Sequence, residues 1–153
     1  MPSAWRIVKT RYVATAFDGE AAALLGGRWN SRGTRVVYAS ATLSLALVEI
    51  LVHLPAGVLG GFSAIPVEFD DRLVVELASA RVPAGFQDDP PRVETMAVGG
   101  AWVRDARSAV LSVPSAVVLM ERNYLLNPRH ADFARVKIGR ARGFPLDRRL
   151  TWG

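Results

Sequence analysis

The composition of this chain suits one globular domain, because 50% of its 153 residues are hydrophobic and 22% are charged. We therefore expect a single domain over residues 1–153. The absence of cysteine excludes disulfides and thiolate metal sites, and two histidines are too few for a His-rich metal cluster. The net charge of +5 favours an anionic ligand, without distinguishing a phosphorylated small molecule from nucleic acid or an acidic protein.

The chain shows no recognisable export or membrane signal, so we expect a cytoplasmic location. The N-terminal sequence MPSAWRIVKT has no apolar run followed by a small-residue cleavage site. The longest apolar stretch, residues 43–54, is too short to span a bilayer and contains Glu49.

The pattern of apolar residues predicts an α+β fold, in which short strands alternate with a few helices. Strands are predicted at residues 5–9, 28–30, 36–40, 62–69, 73–77, 109–113, 116–120 and 135–138. Helices are predicted at residues 18–25, 43–53 and 90–108, the last one interrupted at residues 99–100. Asp18 and Thr42 are the predicted N-caps of the first two helices, because their side-chain oxygens can accept the free N–H groups of a first turn.

Residues 26–33, with the sequence GGRWNSRG, are a candidate anion-binding segment. Glycines on both sides let the backbone approach a ligand, and Arg28 can donate two parallel hydrogen bonds to a phosphate or carboxylate. In the predicted strand, Arg28 and Asn30 share one face and Trp29 takes the other. The alternative for Arg28 is an ordinary surface ion pair, and we expect Trp29 in the core.

Tyr38 is a candidate for stacking on a nucleobase or nicotinamide. The predicted strand groups Tyr38 with Val36 and Ser40 on one face, immediately before the helix that contains Glu49. A position in the core is the alternative for this ring.

Glu49 is the only acid of a helix that is apolar around nearly its whole circumference, a pattern that predicts burial on several sides. A carboxylate in such a setting must be hydrogen-bonded, paired with a cation, or directed into a cleft. Glu49 is therefore either a site residue or a structural determinant. His53 lies one turn later, where we expect an ordinary helix-end histidine.

Two further polar positions are candidates in the C-terminal half. Ser115 interrupts an apolar region after Pro114, and its hydroxyl serves either a turn or a ligand in a cleft. Neither a histidine nor an acid stands beside it, so the local sequence does not support a Ser-His-Asp nucleophile. Residues 121–130 are predicted to form a loop, in which Asn127 is a candidate binding residue.

Several common catalytic motifs are missing from the sequence. There is no GxGxxG after a strand, no GxxxxGK[ST], and no HExxH or EF-hand spacing. An ordinary Rossmann dehydrogenase, a kinase and a metallohydrolase are therefore disfavoured.

Taken together, these segments resemble the RES-domain family, which is named for an arginine, a glutamate and a serine. The matching stretches are WRI, GGRWNSRGTRVVYAS, LSLALVEILVHL, VPSAVV, ERNYLLNPRHADFARVKI and FPLDRRL. The resemblance covers essentially the whole chain in the right order. It places the family's arginine, tyrosine, glutamate and serine on Arg28, Tyr38, Glu49 and Ser115. Asn127 and His130 also match the family pattern, whereas Ala131 stands where proline is common.

The resemblance implies a compact α+β fold similar to the ADP-ribosyltransferase toxins. It also implies that NAD⁺ is the substrate, with no separate cofactor, and that a cognate antitoxin with an Xre-type helix-turn-helix domain makes any DNA contact. The catalytic residues it implies are Arg28, Tyr38, Glu49 and Ser115. The residues it implies for substrate binding are Arg28, Tyr38, Ser115 and Asn127.

The chemistry expected of such a site is cleavage of the nicotinamide–ribose bond by hydrolysis or phosphorolysis. Arg28 can bind the diphosphate of NAD⁺, and Glu49 can stabilise the oxocarbenium ion that forms as nicotinamide leaves. Two alternatives stay open. One is a mono-ADP-ribosyltransferase that modifies a protein, and the other is a non-catalytic basic binding module.

Overall fold

A computed structural model describes residues 3–54 and 60–151, and its framework is one eight-stranded sheet. The strands are β1 (Ser3–Lys9), β2 (Val37–Ser40), β3 (Phe62–Glu68), β4 (Val74–Glu76), β5 (Val110–Pro114), β6 (Arg122–Leu126), β7 (Lys137–Ile138) and β8 (Arg142–Phe144). Their order is β4-β5-β6-β2-β1-β3-β7, and β8 also pairs with β3. Only the β4–β5 pair is parallel among these strands.

The α-helices of the described residues are α1 (Glu20–Leu25), α2 (Leu43–Leu51) and α3 (Val93–Arg104). Thr42 caps α2 as predicted, with its Oγ1 accepting from the N–H of Leu45 at 3.0 Å. Asp18 accepts from the N–H of Glu20 at 2.8 Å, although Gly19 occupies the N-cap position itself. Within residues 3–54 and 60–151, no helix has the length and apolar character needed to cross a membrane. The predicted α+β class is confirmed.

Strand β2 lies between β1 and β6 and separates two environments. On one face, Val37 and Ala39 are buried in a core cluster that also contains Leu126 of β6. On the other face, Tyr38 and Ser40 line a cavity. The alternation predicted for this strand is therefore confirmed, although Ala39 also contributes to the cavity lining.

Two predicted strands are wrong. Residues 28–30 belong to a tight turn closed by backbone hydrogen bonds between Gly27 and Asn30, at 3.0 and 3.4 Å, so the segment is too short for a ladder. Trp29 and Asn30 are both buried, which contradicts the predicted alternation. Residues 116–120 form a turn, and the strand lies instead at β6, within the segment predicted as a loop. The turn forms because the Ser115 hydroxyl accepts two backbone N–H groups that follow it.

Helix α3 continues through the predicted interruption at Gly99 and Gly100 and ends earlier than predicted, at Arg104. A Cβ atom on Gly99 would overlap the carbonyl oxygen of Trp29, so this glycine lets the helix contact the turn at residues 27–30.

Other predicted boundaries and burial patterns also differ from the structure. Helix α2 is less buried than predicted, because only Leu45 and Ala46 of its residues are fully buried. The predicted strand at residues 135–138 is reduced to β7, because a 3₁₀ helix occupies Ala131–Arg135.

Candidate active site

Three of the predicted site residues line one cavity of about 500 Å³: Arg28, Tyr38 and Glu49. Strands β1 and β2, helix α2 and the turn after α1 form most of its wall. Helix α2 packs over β1 and β2, which brings Glu49 above the face of the sheet that carries Tyr38. The fold therefore joins residues that are 21 positions apart in the chain.

Glu49 is held by a polar partner rather than by apolar side chains. Asn123 on β6 donates from its Nδ2 to Glu49 Oε2, and its own Oδ1 accepts from the Ser40 hydroxyl at 2.8 Å. Ser40 and Asn123 are paired across β2 and β6, so the strand register sets this chain of hydrogen bonds. We call Glu49, Ser40 and Asn123 the Glu49 side of the cavity.

Tyr38 is fixed through its hydroxyl. It donates to Asn30 Oδ1 at 2.6 Å and accepts from the N–H of Trp29 at 3.1 Å. Burial raises the pKa of the Tyr38 phenol well above its usual range, an effect only partly offset by the Trp29 N–H and the charge of Arg28. The phenol therefore stays protonated, and its ring is what it offers to a ligand.

Glycine is required beside this tyrosine. A Cβ atom on Gly27 would lie 2.8 Å from both the Tyr38 hydroxyl and Asn30 Oδ1. Asn30 is fully buried, and its amide nitrogen donates to the carbonyl oxygens of Ala22 and Thr34, at 2.9 and 3.1 Å. Asn30 thus connects the turn, helix α1 and Tyr38, and sequence reasoning gave it no role beyond its strand face.

Arg28 does not form the surface ion pair considered as its alternative. Its Nη1 donates to the backbone carbonyl oxygens of Phe86 and Asp88, at 2.7 and 2.8 Å. Its Nε and Nη2 make no hydrogen bond with a described residue, so they can donate to a ligand. We call Arg28, the turn at residues 26–30 and the segment at residues 85–89 the Arg28 side of the cavity.

Arg6 on β1 is a second cation in the cavity, and sequence reasoning missed it as a site residue. Its Nε donates to the carbonyl oxygen of Ala16 and its Nη1 to that of Tyr38, both at 2.8 Å. Burial lowers the pKa of Arg6 to about 10, with a smaller opposing effect from Asp18, so the guanidinium remains charged at neutral pH. An arginine between the apolar residues Trp5 and Ile7 of a strand was the signal available in the sequence.

Ser115 and Asn127 are not among the residues that line this cavity. Ser115 is fully buried, and its Oγ accepts from the N–H groups of Val117 and Val118, at 3.1 and 3.0 Å. The turn that it closes places Val117 in the cavity wall. Asn127 lies in a separate groove, where its Oδ1 accepts from the N–H of Arg129 at 3.0 Å.

The two histidines also lie apart. His53 is exposed and lines the cavity, whereas His130 lies in the same groove as Asn127 and accepts from the N–H of Asp132 at 2.9 Å. Across residues 3–54 and 60–151, no three His, Asp or Glu side chains come together as a metal site.

Comparison with known proteins matches this chain to one family. A model of the RES domain matches residues 3–147. The protein named Toxin Res from Yersinia enterocolitica serotype O:8 / biotype 1B is 38% identical over 130 residues, which cover 84% of this chain and 86% of that protein. This chain belongs to the RES-domain toxin family.

Two more proteins are similar to this RES-domain toxin. The Prs ADP-ribosylating toxin of Sphingobium sp. strain YBL2 is 35% identical over 157 residues, covering 97% of this chain and 96% of that protein. A chain in the crystal structure of the M. tuberculosis MbcT–MbcA toxin–antitoxin complex matches with a TM-score of 0.73 and 16% identity. The match covers 94% of this chain and 84% of that chain, and at this identity it concerns the fold. The family and the toxin fold predicted from the sequence are confirmed.

Proposed function

We propose that this RES-domain toxin cleaves the bond between nicotinamide and ribose in NAD⁺. The observation that carries the proposal is the combination of Glu49, Arg6, Arg28 and the Tyr38 ring around one cavity of about 500 Å³. NAD⁺ contains a diphosphate, two riboses and a cationic aromatic ring. Arginines suit the diphosphate, an aromatic surface suits nicotinamide, and a carboxylate suits the positive charge that develops on the ribose.

Glu49 acts in this reaction by electrostatic stabilisation. As the C1′–N bond breaks, its electron pair moves to the nicotinamide nitrogen and positive charge develops on the ribose. The Glu49 carboxylate, oriented by Asn123, stabilises that charge without having to reorganise. Water then attacks C1′ and loses a proton, which gives ADP-ribose, or phosphate attacks and gives a phosphorylated ADP-ribose.

The remaining site residues bind and position the substrate. The free donors of Arg28, together with the charge of Arg6, bind the diphosphate, and the Tyr38 ring stacks on nicotinamide. Ser115 acts on the site through the turn it closes, because its oxygen already accepts two N–H groups. We assign no substrate contact to Asn127, which lies in the other groove.

An antitoxin partner is supported by the likeness to a chain of a toxin–antitoxin complex. Three apolar side chains that line the cavity are exposed: Leu25, Val52 and Val117, at 76%, 53% and 40%. Exposed apolar residues around a charged cleft are a suitable contact surface for a protein that covers the cleft.

We propose that the partner is an Xre-type antitoxin, which inserts a carboxylate near Arg28 and makes the DNA contact itself. A complex with the cavity still open to NAD⁺ would contradict that mode of inhibition.

A second candidate function is mono-ADP-ribosylation of a protein, which the name of the Sphingobium relative favours. Incubation of purified toxin with NAD⁺ labelled in its adenosine half distinguishes NAD⁺ cleavage from transfer of ADP-ribose to a protein. Free nicotinamide with the label in small molecules supports cleavage, whereas label on protein supports transfer. Unchanged NAD⁺ together with steeply salt-dependent nucleic-acid binding would favour a non-catalytic binding module.

In cells, we expect expression of the toxin alone to deplete NAD⁺ and stop growth, and co-expression of its antitoxin to restore both. Measuring intracellular NAD⁺ in the two strains checks this, with Glu49→Gln as the matched control. Normal growth with full NAD⁺ during strong expression of the toxin alone would contradict the proposed function.

A further inference from the structure

The segment at residues 85–89 is held against the cavity by the arginine proposed to bind the diphosphate. Both hydrogen bonds from Arg28 Nη1 go to carbonyl oxygens of this segment, those of Phe86 and Asp88. The Phe86 ring also packs on Trp29, with ring centroids 6.1 Å apart. Backbone and core contacts therefore hold the segment beside Arg28, which fixes where its remaining residues lie along the cavity.

Alternate side chains of this segment meet different surroundings. Phe86 packs against a core cluster, and the Asp88 carboxylate pairs with Arg92 Nε at 2.5 Å. Gln87 and Asp89 line the cavity instead. No hydrogen bond or ion pair with another described residue involves the Asp89 carboxylate, so its oxygens can accept hydrogen bonds from a ligand.

The cavity thus has two acids among its described lining residues, and they belong to different sides. Glu49 is bound by Asn123 on the Glu49 side, whereas Asp89 extends from the segment that Arg28 holds. The proposed reaction uses only Glu49. Asp89 is exposed, so its carboxylate is available to a ligand group that enters the cleft, and hydroxyl groups are natural donors to a carboxylate.

We propose that Asp89 binds the ribose hydroxyls of the adenosine half of NAD⁺ and makes the toxin discriminate against NADP⁺. The inference rests on the proposed function, because Glu49 at the nicotinamide ribose and Arg28 at the diphosphate leave the Asp89 region to the adenosine half. A carboxylate there accepts hydrogen bonds from a ribose diol, whereas NADP⁺ carries a phosphate in place of the 2′-hydroxyl. Two anions in contact repel each other, so NADP⁺ binding is disfavoured.

Nicotinamide release with NAD⁺ and with NADP⁺, measured on the wild type and Asp89→Asn, tests the proposal. We expect the wild type to prefer NAD⁺ by about 100-fold in kcat/KM, and Asp89→Asn to reduce that preference at least about tenfold. The change should appear in KM, with kcat for NAD⁺ within about threefold of the wild type. Asp105→Asn removes an exposed acid at the end of α3 and is the control that keeps the preference.

Equal use of the two dinucleotides by the wild type, or an unchanged preference in Asp89→Asn, would overturn the inference while leaving NAD⁺ cleavage in place. Calorimetric measurement of the binding of both dinucleotides distinguishes a failure of this inference from a failure of the proposed reaction. A toxin that binds NAD⁺ selectively through Asp89 but releases no nicotinamide upholds the specificity contact and contradicts the proposed reaction. A toxin that neither binds nor cleaves either dinucleotide contradicts both.

Discussion

The two sides of the cavity are built in different ways. On the Glu49 side, regular elements carry the polar residues, and hydrogen bonds between side chains join them across β2 and β6. On the Arg28 side, two irregular segments meet, and a guanidinium bound to backbone carbonyls joins them. Strand register positions the acid, whereas the close approach of a turn and a loop positions the cation.

This difference predicts different consequences for substitutions. A side chain on the Glu49 side can be exchanged without moving the strands beneath it, so the chemical step should change alone. On the Arg28 side, the side chain itself joins the segments, so binding and local structure should change together.

The largest effect is expected for Glu49→Gln, which should lower kcat about 10²–10³-fold by removing about 3–4 kcal/mol of transition-state stabilisation. The glutamine oxygen can still accept from Asn123, so the fold and NAD⁺ affinity should be nearly unchanged. Nicotinamide release, NAD⁺ binding and melting temperature, measured on the same variant, check this. Glu94→Gln, at an exposed acid of α3, is the control.

The structural alternative for Glu49 makes a different prediction. If Glu49 is mainly a determinant of the fold, its substitution lowers the melting temperature and abolishes NAD⁺ binding together with activity. A stable Glu49→Gln protein with wild-type turnover would exclude the proposed role in catalysis.

The next effect is on stability, for Gly99→Ala. The added methyl group collides with the Trp29 carbonyl oxygen, so we expect a loss of about 2–3 kcal/mol and a melting temperature roughly 5–10 °C lower. Since Trp29 follows Arg28, the KM for NAD⁺ should also rise. Gly100→Ala is the matched control, because a Cβ atom there meets nothing within 4 Å and helix propensity favours alanine by about 1 kcal/mol. Equal melting temperatures of the two variants would contradict the contact.

Arg28→Lys sharpens the contrast with Glu49→Gln. Lysine keeps the charge but has one nitrogen in place of the planar guanidinium, so it cannot bind the two carbonyls through one nitrogen and a phosphate through the others. We therefore expect KM to rise about tenfold while kcat changes less. Steady-state kinetics of nicotinamide release measure both constants. Arg32→Lys, at an exposed arginine four residues further along the chain that does not line the cavity, should match the wild type. A fall in kcat alone would assign Arg28 to the chemical step.

The smallest effect is expected for Ser115→Ala. Losing one oxygen that accepts two N–H groups should cost about 1 kcal/mol, or about 2–4 °C in melting temperature, and should leave kcat within about twofold of the wild type. Ser44→Ala, at an exposed serine of α2, is the control. A loss of turnover at unchanged melting temperature would show instead that the hydroxyl acts on the substrate.

The sequence by itself determined the fold class, the family and the local features that depend on neighbouring residues. The α2 cap at Thr42 follows from one side chain and the turn beside it. The facing of Tyr38 and Ser40 follows from the twofold period of a strand. The glycines around Arg28, and the position of Glu49 as the only acid of an apolar helix, nominated these two residues. Such features involve residues a few positions apart, so their physics is visible in a short window of sequence.

Only the tertiary structure decided which groups form hydrogen bonds with the site residues. Asn123 binds Glu49 from 74 positions away, and Arg28 binds carbonyl oxygens 58 and 60 positions away. Residues 28–30 and 116–120 have strand-like composition, but local hydrogen bonds closed them into turns. Every residue has a backbone carbonyl, so the amino-acid sequence does not indicate which carbonyl accepts a side-chain hydrogen bond. Two side chains that are distant in the chain meet only once the order of the strands in the sheet is established. The residue types of a site can therefore be predicted from short segments of sequence. The contacts between those residues cannot, because they depend on how the whole chain folds.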